Sequence, residues 1–360
     1  MQVQKFTSLL MKWNNQENRR IMPWKGEKDP YKVWLSEIIL QQTRVEQGWT
    51  YYENLIKEYP TIVHLAKAKD EDVFKLWEGL GYYTRCRNLL YTARFIYKTY
   101  NGKFPSTYET IKSLKGVGPY TAAAIASFCF DLPYAVVDGN VFRILSRIFG
   151  ITTATDSTNG KKQFTELADK MLYEYDPGNY NQAIMDFGAT ICKPMLPLCS
   201  TCVMNKLCIA YKTASVNELP VKEKVVKKKL RWFSFIIFQA EEKIFIRKRT
   251  AKDIWQNLFE FYIVESESNP FWDKKSVTDF LQSQLSLQRF EVLQIIHASP
   301  QQLTHQLIKG YFITVQLKNI PTQLKSGNGL WIPIKQLAKY PFPGFINQFL
   351  QNKKAQTSLF

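Results

Sequence analysis

Leu114-Lys115-Gly116-Val117-Gly118-Pro119-Tyr120-Thr121-Ala122 leads straight into Ala123, Ala124, Ile125 and Ala126. Two glycines one residue apart allow a tight turn, and the alanine-rich run behind them favours helix. Such a turn presents free backbone N–H groups at a helix N-terminus, a cradle suited to phosphate. Most Gly-x-Gly pairs are ordinary turns. This one gains weight from Val136-Val137-Asp138-Gly139-Asn140-Val141-Phe142-Arg143, which sets a carboxylate between apolar residues and a glycine. Taken alone, Asp138 is better explained as a helix N-cap.

Upstream, Tyr31-Lys-Val-Trp-Leu-Ser-Glu-Ile-Ile-Leu-Gln-Gln-Thr-Arg44 reads as one helix. Glu37, Gln41 and Arg44 fall at i, i+4 and i+7 and form a polar strip on an otherwise apolar surface. The strip could be a surface feature with a weak Glu–Arg interaction. It could equally hold a partly desolvated acid, its pKa raised towards neutrality, facing a substrate base.

The chain has 360 residues, 45% of them hydrophobic, enough for two globular domains. Its 48 Lys and Arg against 31 Asp and Glu leave a formal charge of +17. That surplus favours a polyanionic partner, nucleic acid or an anionic membrane surface. No basic-then-apolar leader and no bilayer-length apolar run are apparent, so an intracellular protein is expected. Of six cysteines, Cys86 and Cys129 stand alone, while the others read Cys192-x6-Cys199-x2-Cys202-x5-Cys208. In a reducing compartment that crowding suits a metal centre better than disulfides, and the spacing leaves zinc and an iron–sulfur cluster both open.

Apolar residues recur at helical spacing to about Tyr211, and the charged Val221–Arg231 segment lacks a helical core face. Beyond it, Phe233–Gln239, Lys243–Arg247 and Tyr311–Leu317 read as strands rich in aromatic and β-branched residues, with a helix at Val277–Leu285. The expectation is an α+β multidomain chain. It comprises an all-α domain over 1–212, a basic linker over 213–230 and an α+β domain over 231–360.

Together these pieces resemble the helix-hairpin-helix DNA glycosylases, and within them the MutY-type adenine glycosylases. The resemblance rests on Met22-Pro-Trp24, Trp34-Leu-Ser-Glu37, Leu40-Gln41-Gln42-Thr43, Gly79-Leu80-Gly-Tyr82-Tyr83, Gly116-Val-Gly118 and Asp138-Gly-Asn140. It implies that Glu37 protonates adenine N7 and that Asp138, with Asn140 in the same catalytic motif, stabilises the cationic sugar. Arg20, Trp24 and Gln182 would line the adenine pocket. Gln42 and Tyr82 would wedge into the base stack, with Gln41, Thr43, Leu80, Gly116 and Gly118 as further DNA contacts. Endonuclease III relatives carry a Schiff-base lysine where Tyr120 stands, and a phenol cannot form an imine. The cysteine spacing matches the 4Fe-4S cluster loop of these families.

The carboxy-terminal part resembles the Nudix-like recognition domain of MutY-type proteins through Trp255–Glu260, Leu303–Gln306 and Gly329–Pro333. Thr304 and His305 fall where that family inspects oxidised guanine, although Leu303 gives up an aromatic ring; they could also simply begin a strand. No clustered glutamates for a hydrolytic metal appear there, which implies a sensor. The expected partner is double-stranded DNA with adenine opposite 8-oxoguanine or guanine, met by a monomer in the cytoplasm. Two alternatives are an endonuclease III-like glycosylase with lyase activity and a metal-stabilised DNA-binding protein without catalysis.

Overall fold

The computed structural model describes residues 2–223, 228–324 and 329–352. Its helices are α1 (Gln2–Gln16), α2 (Pro30–Leu40), α3 (Val45–Glu58), α4 (Ile62–Lys67), α5 (Asp70–Leu76) and α6 (Tyr83–Tyr100). They continue with α7 (Tyr108–Ser113), α8 (Pro119–Phe130), α9 (Gly139–Phe149), α10 (Thr158–Met171), α11 (Pro177–Thr190) and α12 (Ile209–Lys212). Side chains cap several starts: Asp29 before Pro30 of α2, Thr107 at α7, Asp138 at α9, Ser157 at α10 and Asp176 at α11. The alanine run is buried, and its small side chains let α2, α7 and α11 close on α8. Phe6, Leu10 and Trp13 of α1 join Ile144, Leu145 and Ile148 of α9 and Tyr180, Ile184 and Phe187 of α11 in one apolar core.

The helix expected over 31–44 is shorter. α2 stops at Leu40, Gln41 is its C-cap, and Arg44 caps α3. Gln42 adopts a left-handed φ of 59°, and the Thr43 N–H bonds back to the Leu40 carbonyl. Gly48 permits the sharp α2–α3 turn, since a Cβ there would meet Ile39 Cγ2 at 3.0 Å. The polar strip is therefore broken: Glu37 lies on the helix, Gln41 at its end and Arg44 beyond it.

Two compact units partition the chain, residues 1–68 with 87–224 and residues 69–86 with 225–360. Both expected borders move. The Leu219 carbonyl accepts from Arg147 Nε at 3.1 Å and the Val221 carbonyl from the Thr155 N–H at 3.0 Å, which ties the supposed linker to the helical unit. The linker's residues 224–227 lie outside the described residues, and its last two begin the first strand. Residues 69–86, within the helical part of the sequence, belong to the second unit through bonds from Lys75 Nζ to the Tyr340 carbonyl and from the Phe342 N–H to Glu78.

The second unit is built on β1 (Lys229–Ala240), β2 (Lys243–Lys248), β3 (Phe259–Glu260), β4 (Tyr262–Ser266), β5 (Phe290–His297), β6 (Gln301–Gln302), β7 (Gln306–Leu317) and β8 (Gly329–Pro333). β1 runs parallel to β7, while β2 and β4 pair antiparallel with β1, and β5 and β6 with β7. With period two, Trp232, Ile236 and Phe238 face α13 (Lys274–Leu285) through Val277 and Leu281. On the other face Phe312 stacks with Phe235 and with Phe345 and Phe349 of α14 (Gly344–Leu350), while Phe235 lies tilted against Phe345. No helix among the described residues is long and apolar enough to cross a membrane.

Candidate active site

α2 is apolar nearly all round, so the helix core carries Glu37 inward and leaves it 5% exposed. Its carboxyl reaches a pocket of about 300 Å³ lined also by Trp24, Val33, Ser36, Phe128 and Gln182. Burial pushes its pKa up to about 7; a hydrogen bond from Tyr120 opposes the rise, and the nearby Asp138 charge adds to it. Tyr120, at the start of α8, also has its hydroxyl 3.2 Å from Met185 Sδ. The carboxyl is the better acceptor for the single phenolic proton.

Asp138 is the N-cap of α9. Its Oδ1 accepts from the N–H groups of Asn140 at 2.9 Å and Val141 at 2.8 Å, and its Oδ2 from Asn140 Nδ2 at 2.8 Å. Burial raises this carboxyl too, but those bonds and the positive helix end oppose the rise. Cap and charged neighbour of Glu37 are thus one residue. Asn140 is fixed in turn, its Oδ1 accepting from Arg143 Nη2 at 2.7 Å.

Trp24 and Gln182 line the same pocket as Glu37, whereas Arg20 is absent from the lining and is bound to Asp186 at 2.9 Å. Asp186 was not anticipated. Fully buried, it accepts from Arg20, Lys25 at 2.8 Å, Asn18 at 2.9 Å and Gln182 Nε2 at 2.9 Å. A carboxylate only accepts, so the Gln182 amide must turn its NH2 to Asp186 and leave its carbonyl oxygen for the pocket. The sequence signal was available: an acid four residues after Gln182 on a helix otherwise apolar around it.

The remaining expected contacts divide. Gln41 Nε2 lies 3.4 Å from both the Gly116 carbonyl and Thr121 Oγ1, and Gln42 is exposed at its left-handed turn. Thr43 is half-buried, and Leu80, at 4% exposure, is a core residue. Gly116 has φ +84° and a Cβ there would approach Asn88 Cβ to 2.8 Å, so its glycine is required by packing. Gly118 is extended, the uncapped N-cap of α8, and a Cβ there would meet nothing within 4 Å. In the second unit, Tyr82 Oη and Thr304 Oγ1 are 2.5 Å apart. Thr304 and His305 are exposed in the turn between β6 and β7, outside either strand.

Cys192, Cys199, Cys202 and Cys208 line one pocket with Ile148, Phe187 and other apolar side chains. Burial raises the Cys199, Cys202 and Cys208 thiols, Cys202 to about 12, and their proximity to one another adds to it. Among the described residues no three His, Cys, Asp or Glu converge tightly enough for a single metal ion. Four thiols round one hollow are nonetheless a donor set suited to a thiolate-bound metal centre. α9 joins this loop to the acid site: Arg143 Nε donates to the Cys192 carbonyl at 2.8 Å, and Arg147 Nη1 to the Lys193 carbonyl at 2.8 Å.

Residues 35–170 match the HhH-GPD superfamily of base excision DNA repair proteins, and residues 233–352 match the NUDIX domain. The chain is 35% identical over 293 residues to an adenine DNA glycosylase of Buchnera aphidicola subsp. Schizaphis graminum, covering 81% of this chain and 84% of that one. The chain belongs to the adenine DNA glycosylases. It is also 40% identical over 227 residues to the human adenine DNA glycosylase, across 61% of this chain and 41% of the human one. Among solved structures, a thermostable thymine-DNA glycosylase covers 59% of this glycosylase and 97% of itself, with TM-score 0.55 and 30% identity. A trapped endonuclease III–DNA intermediate matches over 59% of this chain and 97% of its own at TM-score 0.52 and 20% identity, a likeness of fold. The membership makes this protein an enzyme of DNA base excision repair that acts on DNA.

Proposed function

We propose that this glycosylase hydrolyses the N-glycosidic bond of adenine opposite 8-oxoguanine or guanine, with Glu37 as proton donor and Asp138 as the fixed anion. The observation that carries this reading is the contrast between the two carboxyls. Glu37, with its pKa near 7 and a single hydrogen bond from Tyr120, is the one that can hold a transferable proton. Asp138, pinned by three donors at a helix N-terminus, is suited to stay ionised. Adenine flipped from the duplex would enter the pocket beside Trp24, its exocyclic amine donating to the free carbonyl oxygen of Gln182. Protonation at N7 lets the base leave neutral, and Asp138 faces the cationic sugar left behind. Glu37, now ionised, then takes the proton of the attacking water.

Tyr120 supports a monofunctional enzyme, since it brings a phenol and no amine to the acid. The hairpin around Gly116 and Gly118 would take the DNA backbone. Gln42 and Tyr82 would fill the stack, and Thr304 with His305 would read the oxidised guanine, a role supported by the Tyr82–Thr304 hydrogen bond. The four cysteines would hold a 4Fe-4S cluster, whose contribution when bound is to cross-link its loop rather than to serve the hydrolysis. We infer a monomer of the cytoplasm, drawn to duplex DNA by its surplus of +17.

The test uses duplexes with adenine opposite 8-oxoguanine, guanine or thymine, followed by alkali to reveal abasic sites. Excision should be fastest opposite 8-oxoguanine, with strands intact until alkali is added. Strand cleavage without alkali, or trapping by borohydride, would favour the lyase alternative.

A further inference from the structure

Three residues on one face of α6 form the seat of the hairpin. Asn88, Tyr91 and Thr92 stand at i, i+3 and i+4. Gly116 backs onto Asn88 so closely that no side chain fits between them. Thr92, fully buried, donates its hydroxyl to the Lys115 carbonyl at 2.9 Å. Tyr91 is 53% exposed and therefore contributes little to the core. Its ring centroid lies 4.4 Å from the Lys115 ammonium, the shortest cation–π contact among the described residues. Lys115 itself is exposed and makes no ion pair with any carboxylate among the described residues.

The hairpin backbone is thus fixed from below by Asn88 and Thr92, and its one charged side chain is held by an aromatic ring of the same helix. A cation resting on a ring keeps its charge and its remaining N–H donors, and it samples fewer rotamers than a free lysine. Beside it, the space in front of Gly118 is open. We propose that Lys115 is a DNA-phosphate contact of the hairpin and that Tyr91 is its positioning residue. The proposal rests on the reading of the hairpin as a DNA-backbone surface and adds to it a charge and the ring that aims it.

The experiment measures affinity of the full-length protein for a fully paired duplex, on which no excision occurs, by fluorescence anisotropy between 50 and 200 mM salt. Lys115→Gln should make the slope of log K against log salt shallower by about 0.9, the value for one phosphate contact. Over that fourfold rise in salt the variant should lose about threefold less affinity than the parent. Tyr91→Leu should weaken binding at 50 mM salt by roughly two- to fivefold with the parent slope, and Tyr91→Phe should bind as the parent does. In a Lys115→Gln background, Tyr91→Leu should have no further effect. An unchanged slope for Lys115→Gln overturns the phosphate contact. An undiminished effect of Tyr91→Leu in that background shows the ring acting on DNA by itself and overturns the positioning role. Gly118→Val separates this from failure of the underlying reading, because its side chain fills only the open space. If Gly118→Val binds like the parent, the hairpin is no DNA surface; if it weakens binding while Lys115→Gln leaves the slope unchanged, the lysine alone is excluded.

Discussion

At the scale of the residue, Glu37 trades stability for chemistry. An ordinary glutamate ionises near 4.5, and burial holds this one near 7. A carboxyl whose folded pKa is raised binds its proton more tightly in the folded chain, so stability falls as pH rises from 4.5 through 7. The loss then levels off at on the order of 3 kcal/mol, each tenfold in proton affinity being worth about 1.36 kcal/mol. Glu37→Gln removes the titration while keeping the shape. The variant should melt higher than the parent at pH 8, nearly equal it at pH 4.5, and excise no adenine at either pH. In the parent, excision should fall about tenfold per unit above pH 7 as the acid ionises. Single-turnover rates and thermal melts across this range check both statements, and comparable excision by Glu37→Gln would remove the acid role.

Among the elements, α9 and the cysteine loop form a unit of their own. Arg143 and Arg147 reach from the helix to the backbone at Cys192 and Lys193, so disorder in the loop strips buried guanidinium groups of their partners. Cys199→Ser should lower the melting temperature and weaken duplex binding before it alters the rate from saturated enzyme. Iron at about four atoms per chain should accompany the parent protein, and stoichiometric zinc in protein purified without oxygen would replace the cluster reading. The hairpin and Glu37 were legible because paired glycines, an alanine run and a lone acid on an apolar helix leave local signals. The end of α2 left none, since Gln42 takes a left-handed turn that no glycine or proline announces. The strands of the second unit showed in their aromatic and β-branched composition. The parallel pairing of Ser234 with Tyr311 did not, because it depends on contacts across some 77 residues of sequence.

For the whole molecule, the proposed function puts catalysis and sensing on different stretches of chain. A fragment ending at Glu223 retains both carboxyls, the hairpin and the cysteines, and should still excise adenine. One ending at Lys212 loses the carbonyls that bond Arg147 and Thr155, and should melt lower. Without Thr304 and His305, the ratio of rates opposite 8-oxoguanine and guanine should fall roughly tenfold or more, from a contact worth on the order of 1–3 kcal/mol. Thr304→Ala in the full chain should reproduce part of that fall. Equal ratios for fragment and full chain would move the sensor elsewhere. Neither border could be read beforehand, since the membership of residues 69–86 is set by partners such as Tyr340 and Phe342 far along the sequence. That excursion has a consequence during synthesis. Residue 86 is made about 250 residues ahead of Tyr340 and Phe342, which tie its segment to the unit. At about 5–20 residues per second, roughly 13 to 50 seconds pass before the partners that bond Lys75 and Glu78 exist. Docking of residues 69–86 onto their unit therefore waits for translation of nearly the whole second stretch, and a slow codon run downstream of residue 86 would lengthen that wait.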